Sequence, residues 1–334
     1  MPDPETYPPV DADVIPDAEA PVAAVDPNLV VPGSLAAAVP VPITVEKAKS
    51  KRLGIVGWFA IGWLIIVMLM AVVPGIFPGP GLTERSREAI VSKQLGPQAG
   101  HPLGLDQSGY DMLTKVIYGA RASMIVSVGA ITFAFLIGGF LGLIAGYFKG
   151  KLDTLLTGMF NVMLAMPALV LALTLATVFA SGAGVSYNRR VTVVTIAIGI
   201  VSIPILGRIT RANTLAWSER EFVLAARLLG TKTHRIIWRE VLPNVLPSML
   251  SIALLGIGVA IVAEGGLSLL GVGVPASIDS PSWGNLIASL RSQLFLGRPW
   301  GVFAPSTAIF LTVLSLNYLG DVVRARFDVR ESVL

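Results

Sequence analysis

Very few side chains in this sequence could carry out covalent or metal chemistry. There is no cysteine, which removes disulfides, thiol nucleophiles and thiolate metal sites. The only histidines are His101 and His234, too few for a histidine cluster around a metal, and no metal site is expected. A phosphate-binding loop needs Gly-x-x-x-x-Gly-Lys followed by Ser or Thr. The sole Gly-Lys pair, Gly150-Lys151, is followed by Leu152 and lacks the earlier glycine. ATP hydrolysis by that route is excluded, and so is an enzyme built on paired carboxylates. The one acidic residue inside a long apolar run is Glu264. An ionisable group inside a membrane span is a functional candidate by default, because it costs about 2.5–3.5 kcal/mol at a helix centre on insertion scales. Two readings of Glu264 fit. In one, it joins Asn161, Ser268 and Asn317 as polar lining of a solute pathway. In the other, it is structural, pairing with a basic group on a partner subunit or snorkelling to the outer interface, and the adjacent Gly265 and Gly266 favour close helix packing.

The elements that position these residues are membrane spans. The 334-residue chain is 54% hydrophobic and 14% charged, against about 25% charged in soluble domains. Six apolar runs cover residues 53–73, 122–148, 155–180, 191–207, 245–274 and 302–319. Each is long enough, or nearly so, to cross a hydrocarbon layer of ~30 Å as a helix. An all-α membrane protein with six transmembrane helices is therefore expected, in which Pro167 and Pro204 kink their helices. A cytoplasmic N-terminus places 16 of the 25 Lys and Arg on the inner side and nine on the outer, so both termini are expected inside. The basic excess accordingly reports a bilayer and not a nucleic acid. Residues 1–46 carry ten prolines and eight acids with no Lys or Arg, the composition of a disordered cytoplasmic tail. Residues 47–334 then form the transmembrane domain.

The connection at 208–244 is long, inward-facing and patterned. Phe222, Ala225, Ala226 and Leu229 recur at helical spacing, Gly230 suits a left-handed cap, and Ile236, Ile237 and Val241 begin a second stripe that Pro243 is expected to break. From the residues alone, this elbow either lies on lipid headgroups or presents its small-residue face to a partner. On the outer side, Leu113, Val116, Ile117 and Ala120 suggest a short interfacial helix before the second span.

The elbow resembles the signature loop of ATP-binding-cassette importer permeases. Glu221-Phe222-Val-Leu-Ala225-Ala226 is followed by Gly230 and, nine residues on, by Glu240-Val-Leu242-Pro243. The general motif has Glu directly before the Ala pair, where this chain has Leu224. Three further segments resemble the C-type subunit of dipeptide and oligopeptide importers, a pattern shared with nickel importers. They are His101-Pro-Leu-Gly-Leu-Asp106 to Asp111, Glu264-Gly-Gly-Leu-Ser268 to Pro275 with Pro281-Ser-Trp283-Gly284-Asn285, and Ala308 to Asn317 and Asp321.

The resemblance implies a type I importer permease fold in a bacterial inner membrane. It implies that Glu221, Phe222, Ala225, Ala226, Gly230, Leu242 and Pro243 couple to ATPase subunits that hold ATP and Mg. It further implies a second homologous permease and an extracytoplasmic substrate-binding protein, faced by His101, Asp106, Asp111 and Trp283. The cargo would be a peptide, or alternatively nickel. An ion-coupled secondary transporter would instead have to run on Glu264.

Overall fold

The fold is described from a computed structural model, which covers residues 54–77, 82, 96–106, 108–180, 185–275, 280–295 and 299–327. The tail at 1–46 lies outside the described residues, as does Arg330. Among the described residues every regular element is helical, and extended backbone contributes only two isolated bridges.

Helix α1, Ile55–Val72, is apolar throughout and buries Gly57, Ala60, Val67 and Ala71 on its packed side. Trp58, Phe59, Ile65 and Met68 are left exposed, as expected of a lipid-facing surface. Helix α2, Met112–Phe148, has 37 residues, roughly 55 Å at the rise of an α-helix and well beyond the hydrocarbon thickness. Asp111 caps it by accepting a 2.7 Å hydrogen bond from the Thr114 amide. The expected separate interfacial helix is thus the first two turns of α2. Val116, Ile117 and Ala120 are buried there, and protein packing rather than headgroups covers them. No helix-breaking residue separates Met112 from the apolar run, so one helix serves both stretches.

The third apolar run is not one helix. It forms α3, Gly150–Ala165, and α4, Ala168–Ala180, set at 86° across Met166-Pro167. Pro167 brings no amide hydrogen and excludes the preceding residue from helical geometry. Pro204 does not do the same: α5, Tyr187–Ser218, runs through it without interruption. Five helices are each long and apolar enough to cross a membrane, and the bent pair counted as one span makes six.

Because α5 continues to Ser218, the connection expected at 208–244 shortens from its N-terminal side. Its remaining part folds as α6, Glu221–Leu228, and α7, Thr233–Ile236. A π turn over Ile237–Val241 leads directly into α8, Leu242–Leu269. Pro243 therefore does not end the second stripe. The wider π turn just before it takes up the ring that would otherwise press on the preceding turn, and Pro243 occupies the start of α8, where a missing amide costs little. Helix α9, Trp283–Phe295, lies in the connection between the fifth and sixth apolar runs, and α10, Trp300–Phe327, is the last described helix.

Helices α2 and α5 run in the same direction, since the α3–α4 return lies between them, and their backbones nearly touch. A Cβ placed on Gly138 would lie 2.5 Å from the Ile203 carbonyl oxygen, and one on Gly146 would lie 2.6 Å from that of Arg211. At Gly142 it would collide with the Gly207 carbonyl. Spaced four residues apart, these glycines form a continuous groove along one face of α2, the small-residue device by which membrane helices approach closely. Around this seam Val126, Ala130, Ala134, Phe160, Ala197 and Leu267 form the main core. A second core joins α1, α8, α9 and α10 through Val67, Ile261, Leu286 and Leu316.

Replacing Gly142 with Leu should cost about 1–3 kcal/mol or more, because the obstacle is backbone that cannot rotate away. The melting temperature in detergent should fall for this variant. Gly62→Ala, whose Cβ would meet nothing within 4 Å, should leave it unchanged or raise it.

Candidate functional site: an exposed elbow helix and a buried carboxylate node

Two sites emerge at opposite ends of the long helices. The first is the elbow. Only Val223 of α6 is buried, and it seats in a cluster with Leu143 and Tyr147 of α2, Ile236, Val241, and Val245 and Met249 of α8. Ala226 and Leu242 pack on the same cluster. Arg227 lies over the Tyr147 ring at 5.1 Å, and Arg220 over Trp217 at 5.5 Å, with Phe222 beside that indole at 6.2 Å. Gly230, with φ +73°, ends the helix in a Schellman cap: its amide donates to Arg227 O, and the Thr231 amide to Ala226 O.

The stripe expected from spacing is thereby divided. Ala226 turns to the protein, while Ala225 is exposed beside Phe222 and Leu229. Leu228 and Leu229 are 80% and 85% exposed, and Leu224 56%. An eight-residue helix with this much exposed aliphatic surface is a candidate contact surface. Glu221 sits exposed in the first turn, where the helix dipole favours an acid.

Behind the elbow, two ion pairs brace the spans. The Arg211 guanidinium holds both Asp153 oxygens, with Nη2 2.7 Å from Oδ2, and so ties α5 to α3. Lys149 Nζ meets Glu219 Oε1 at 2.6 Å, linking the α2–α3 turn to the end of α5.

The second site centres on Glu264, which is fully buried. Its Oε1 accepts hydrogen bonds from Ser268 Oγ at 2.9 Å and from Ser282 Oγ at 2.8 Å. Its Oε2 faces the Gly284 backbone and makes no hydrogen bond of ordinary geometry. A Cβ on Gly284 would lie 2.6 Å from both that oxygen and Gly265 Cα, so glycine is required at the crossing. Trp283, next along the chain, is also fully buried. Its amide donates to Ser123 Oγ at 3.0 Å and its indole to the Val116 carbonyl at 2.8 Å. Ser282 accepts from the Asn285 amide, and Asn285 Nδ2 donates to Val274 O. Two sequence segments some 18 residues apart thus close into one node fastening α9 to α8 and α2.

Within this chain Glu264 and Ser268 are buried, and among the described residues the Glu264 side chain meets serine hydroxyls and not a base. One oxygen of its carboxylate, Oε1, is satisfied by two hydroxyls of its own chain, because the glycines let α9 approach that closely. Asn161 and Asn317 are exposed, on α3 and α10, and are not brought together with them. Trp283, Asp106 and Asp111 have buried side chains and shape the surface near the start of α2. Asp111 holds the helix cap and accepts from His101 Nδ1 at 2.9 Å. Asp106 accepts from the Ser108 and Tyr110 amides and pairs with Lys115. Ser282, Ser123 and the Val116 carbonyl were not legible as site residues, since a serine or a backbone oxygen carries no signature until a partner is placed on it.

Five helices able to cross a membrane, six if the bent pair counts as one span, joined through a capped elbow helix, define a multi-pass membrane protein. Residues 138–333 match the family described as the binding-protein-dependent transport system inner membrane component. The chain is 37% identical over 285 residues to the dipeptide transport system permease protein of Alkalihalophilus pseudofirmus, covering 85% of this chain and 88% of that one. It is 32% identical to the dipeptide transport system permease protein of Bacillus subtilis, covering 85% and 83%. It is 33% identical to the glutathione transport system permease protein of Pectobacterium atrosepticum, covering 70% and 74%. The chain belongs to the binding-protein-dependent inner-membrane permease family, the ABC importer permeases whose signature loop it carries. It is a multi-pass component of an inner-membrane transport system.

Trp283→Ala should lower stability by about 3–5 kcal/mol, since it empties a buried indole site and strands the Val116 carbonyl. Glu264→Gln, which keeps the shape and can still accept from both serines, should cost far less. Thermal unfolding of the two purified variants would rank them, and a larger loss in Glu264→Gln would contradict the packing role assigned to the carboxylate.

Proposed function

We propose that this chain is the permease subunit of an ATP-driven peptide importer. It forms half of the translocation pore with a second homologous permease. One or two ATPase subunits, which carry ATP and Mg, dock on α6. An extracytoplasmic substrate-binding protein engages the opposite end, over the segment around residues 96–115. Both termini then lie in the cytoplasm, in agreement with the distribution of Lys and Arg.

The observation that carries this reading is the elbow: a capped helix exposing Phe222, Leu224, Ala225, Leu228 and Leu229 while anchored by the single buried Val223. Such a helix can take a load at its tip and pass it inward. Val223 touches a cluster that spans α2 and α8, and the glycine seam makes α2 and α5 move as one body. ATP binding and hydrolysis would then exchange inward-open and outward-open arrangements through different contacts in the two states. Relatives named for dipeptide and glutathione transport support a peptide cargo over nickel. The residues present also favour this over ion coupling, since the single intramembrane acid is already committed to a packing node.

Uptake of labelled dipeptide into proteoliposomes holding the full complex, with ATP supplied on the elbow side, tests the proposal. ATP-dependent uptake is expected, and uptake by this chain alone under an ion gradient would overturn it. Ala225→Asp should abolish co-purification of the ATPase without loss of folded protein, because Ala225 is exposed here and a charge enters only the docked contact. Undiminished co-purification would remove α6 as the docking element.

A further inference from the structure

The helix that rises from the elbow carries a surface with a graded composition. On the face turned away from the buried Ile236 lie Arg235, Trp238 and Arg239, at i, i+3 and i+4. Both arginines are exposed, and neither guanidinium makes a hydrogen bond or ion pair among the described residues. Trp238 is 60% exposed. The same side continues downward through exposed Pro243 and half-buried Leu246 to Leu250, which is 46% exposed. From Arg235 to Leu250 the rise is roughly 22 Å, about the thickness of one leaflet with its headgroups. The C-terminal end of α10 adds exposed Arg324 and Arg326 at the same end of the bundle. Ser251 Oγ donates to the Gly320 carbonyl at 2.6 Å and so fixes α10 against α8 at that level. The acids nearby are Glu240, half-buried on the adjoining face of the π turn, and exposed Asp321 on α10.

We infer that this face is a binding site for an anionic phospholipid. The headgroup phosphate is held by Arg235 and Arg239, the glycerol region rests on Trp238, and an acyl chain lies along Pro243, Leu246 and Leu250. The order of the residues selects the occupant. Two unpaired guanidinium groups call for an anion, the indole marks the bilayer interface, and the apolar column beneath calls for hydrocarbon. A soluble protein partner could meet the arginines but has no reason to follow the column into the membrane. The site lies on α7 and α8 beside the α6 docking surface, shares only Pro243 with the residues that the resemblance assigns to ATPase coupling, and does not rest on the identity of the cargo. Arginine suits it better than lysine would, because its planar fork can hold two phosphate oxygens at once.

The test uses the full chain in lipid nanodiscs and isolates the emission of Trp238 as the difference between wild type and Trp238→Phe. Phosphatidylglycerol with brominated acyl chains is compared with brominated phosphatidylcholine at equal mole fraction in an otherwise identical bilayer. Brominated phosphatidylglycerol should quench this emission the more strongly, with an enrichment on the order of fivefold per arginine at low salt. The double variant Arg235→Gln/Arg239→Gln should remove the difference between the two lipids while leaving the melting temperature unchanged, since both side chains are exposed. Equal quenching by the two lipids in the wild type would overturn the proposal and leave Trp238 as a nonselective interfacial anchor. No quenching by either would overturn it too, and would give the face to a protein partner.

Discussion

The contact on which the rest of this structure depends is the backbone-to-backbone approach of α2 and α5 at Gly138, Gly142 and Gly146. In a bilayer, burying apolar side chains between helices gains little over leaving them in lipid, so helices adhere through close packing and through polar groups that find partners. The glycine groove supplies the close packing. It fixes the distance and direction of two of the longest helices, and Phe160 of α3 fills the space beside Gly207. The bend at Pro167 is tolerated on this frame, because a broken helix needs fixed neighbours if its freed backbone groups are to be answered.

The same frame gives the elbow its leverage. Helix α6 is short and barely held, by Val223, by two arginine–aromatic contacts and by a glycine cap. Its anchoring cluster nonetheless includes Leu143 and Tyr147, which lie on α2 beside the last glycine of the seam. On the far side of the cluster, α7 passes through a π turn into α8 with no break in the helix. Helix α6 thus packs against two bodies, the α2–α5 pair and α8, and joins α7 through the capped turn at 229–232. The ion pairs Arg211–Asp153 and Lys149–Glu219 brace the bent α3 against this assembly at the same end.

At the other end the polar groups are arranged for rigidity. Glu264 draws Ser268 and Ser282 onto one oxygen, and Trp283 closes the space between α9 and α2. A buried carboxylate in this setting is costly, and two serine hydrogen bonds and a close glycine crossing converge on it. Asp111 and Asp106 do comparable work nearby, the first capping α2 and the second organising the turn that precedes it.

Length and hydropathy alone determined the class of this protein, because only helices and closed barrels satisfy their backbone across a bilayer and long, non-alternating apolar runs suit helices. The spacing of Phe222, Ala225, Ala226 and Gly230 determined the elbow helix and its cap, since amphipathic period and left-handed backbone are local properties. Tertiary structure decided the rest. It decided that Pro167 breaks a span while Pro204 does not and that Pro243 is absorbed by a π turn, because the outcome at a proline depends on what neighbours can offer the freed carbonyl. It decided that Ala225 faces out and Ala226 in, because a stripe of apolar residues has no preferred partner until another helix is placed beside it. It also decided that Glu264 belongs to a packing node. A carboxylate's role is set by the groups that reach it, and Ser282 and Gly284 reach this one only after the chain has left the helix and folded back.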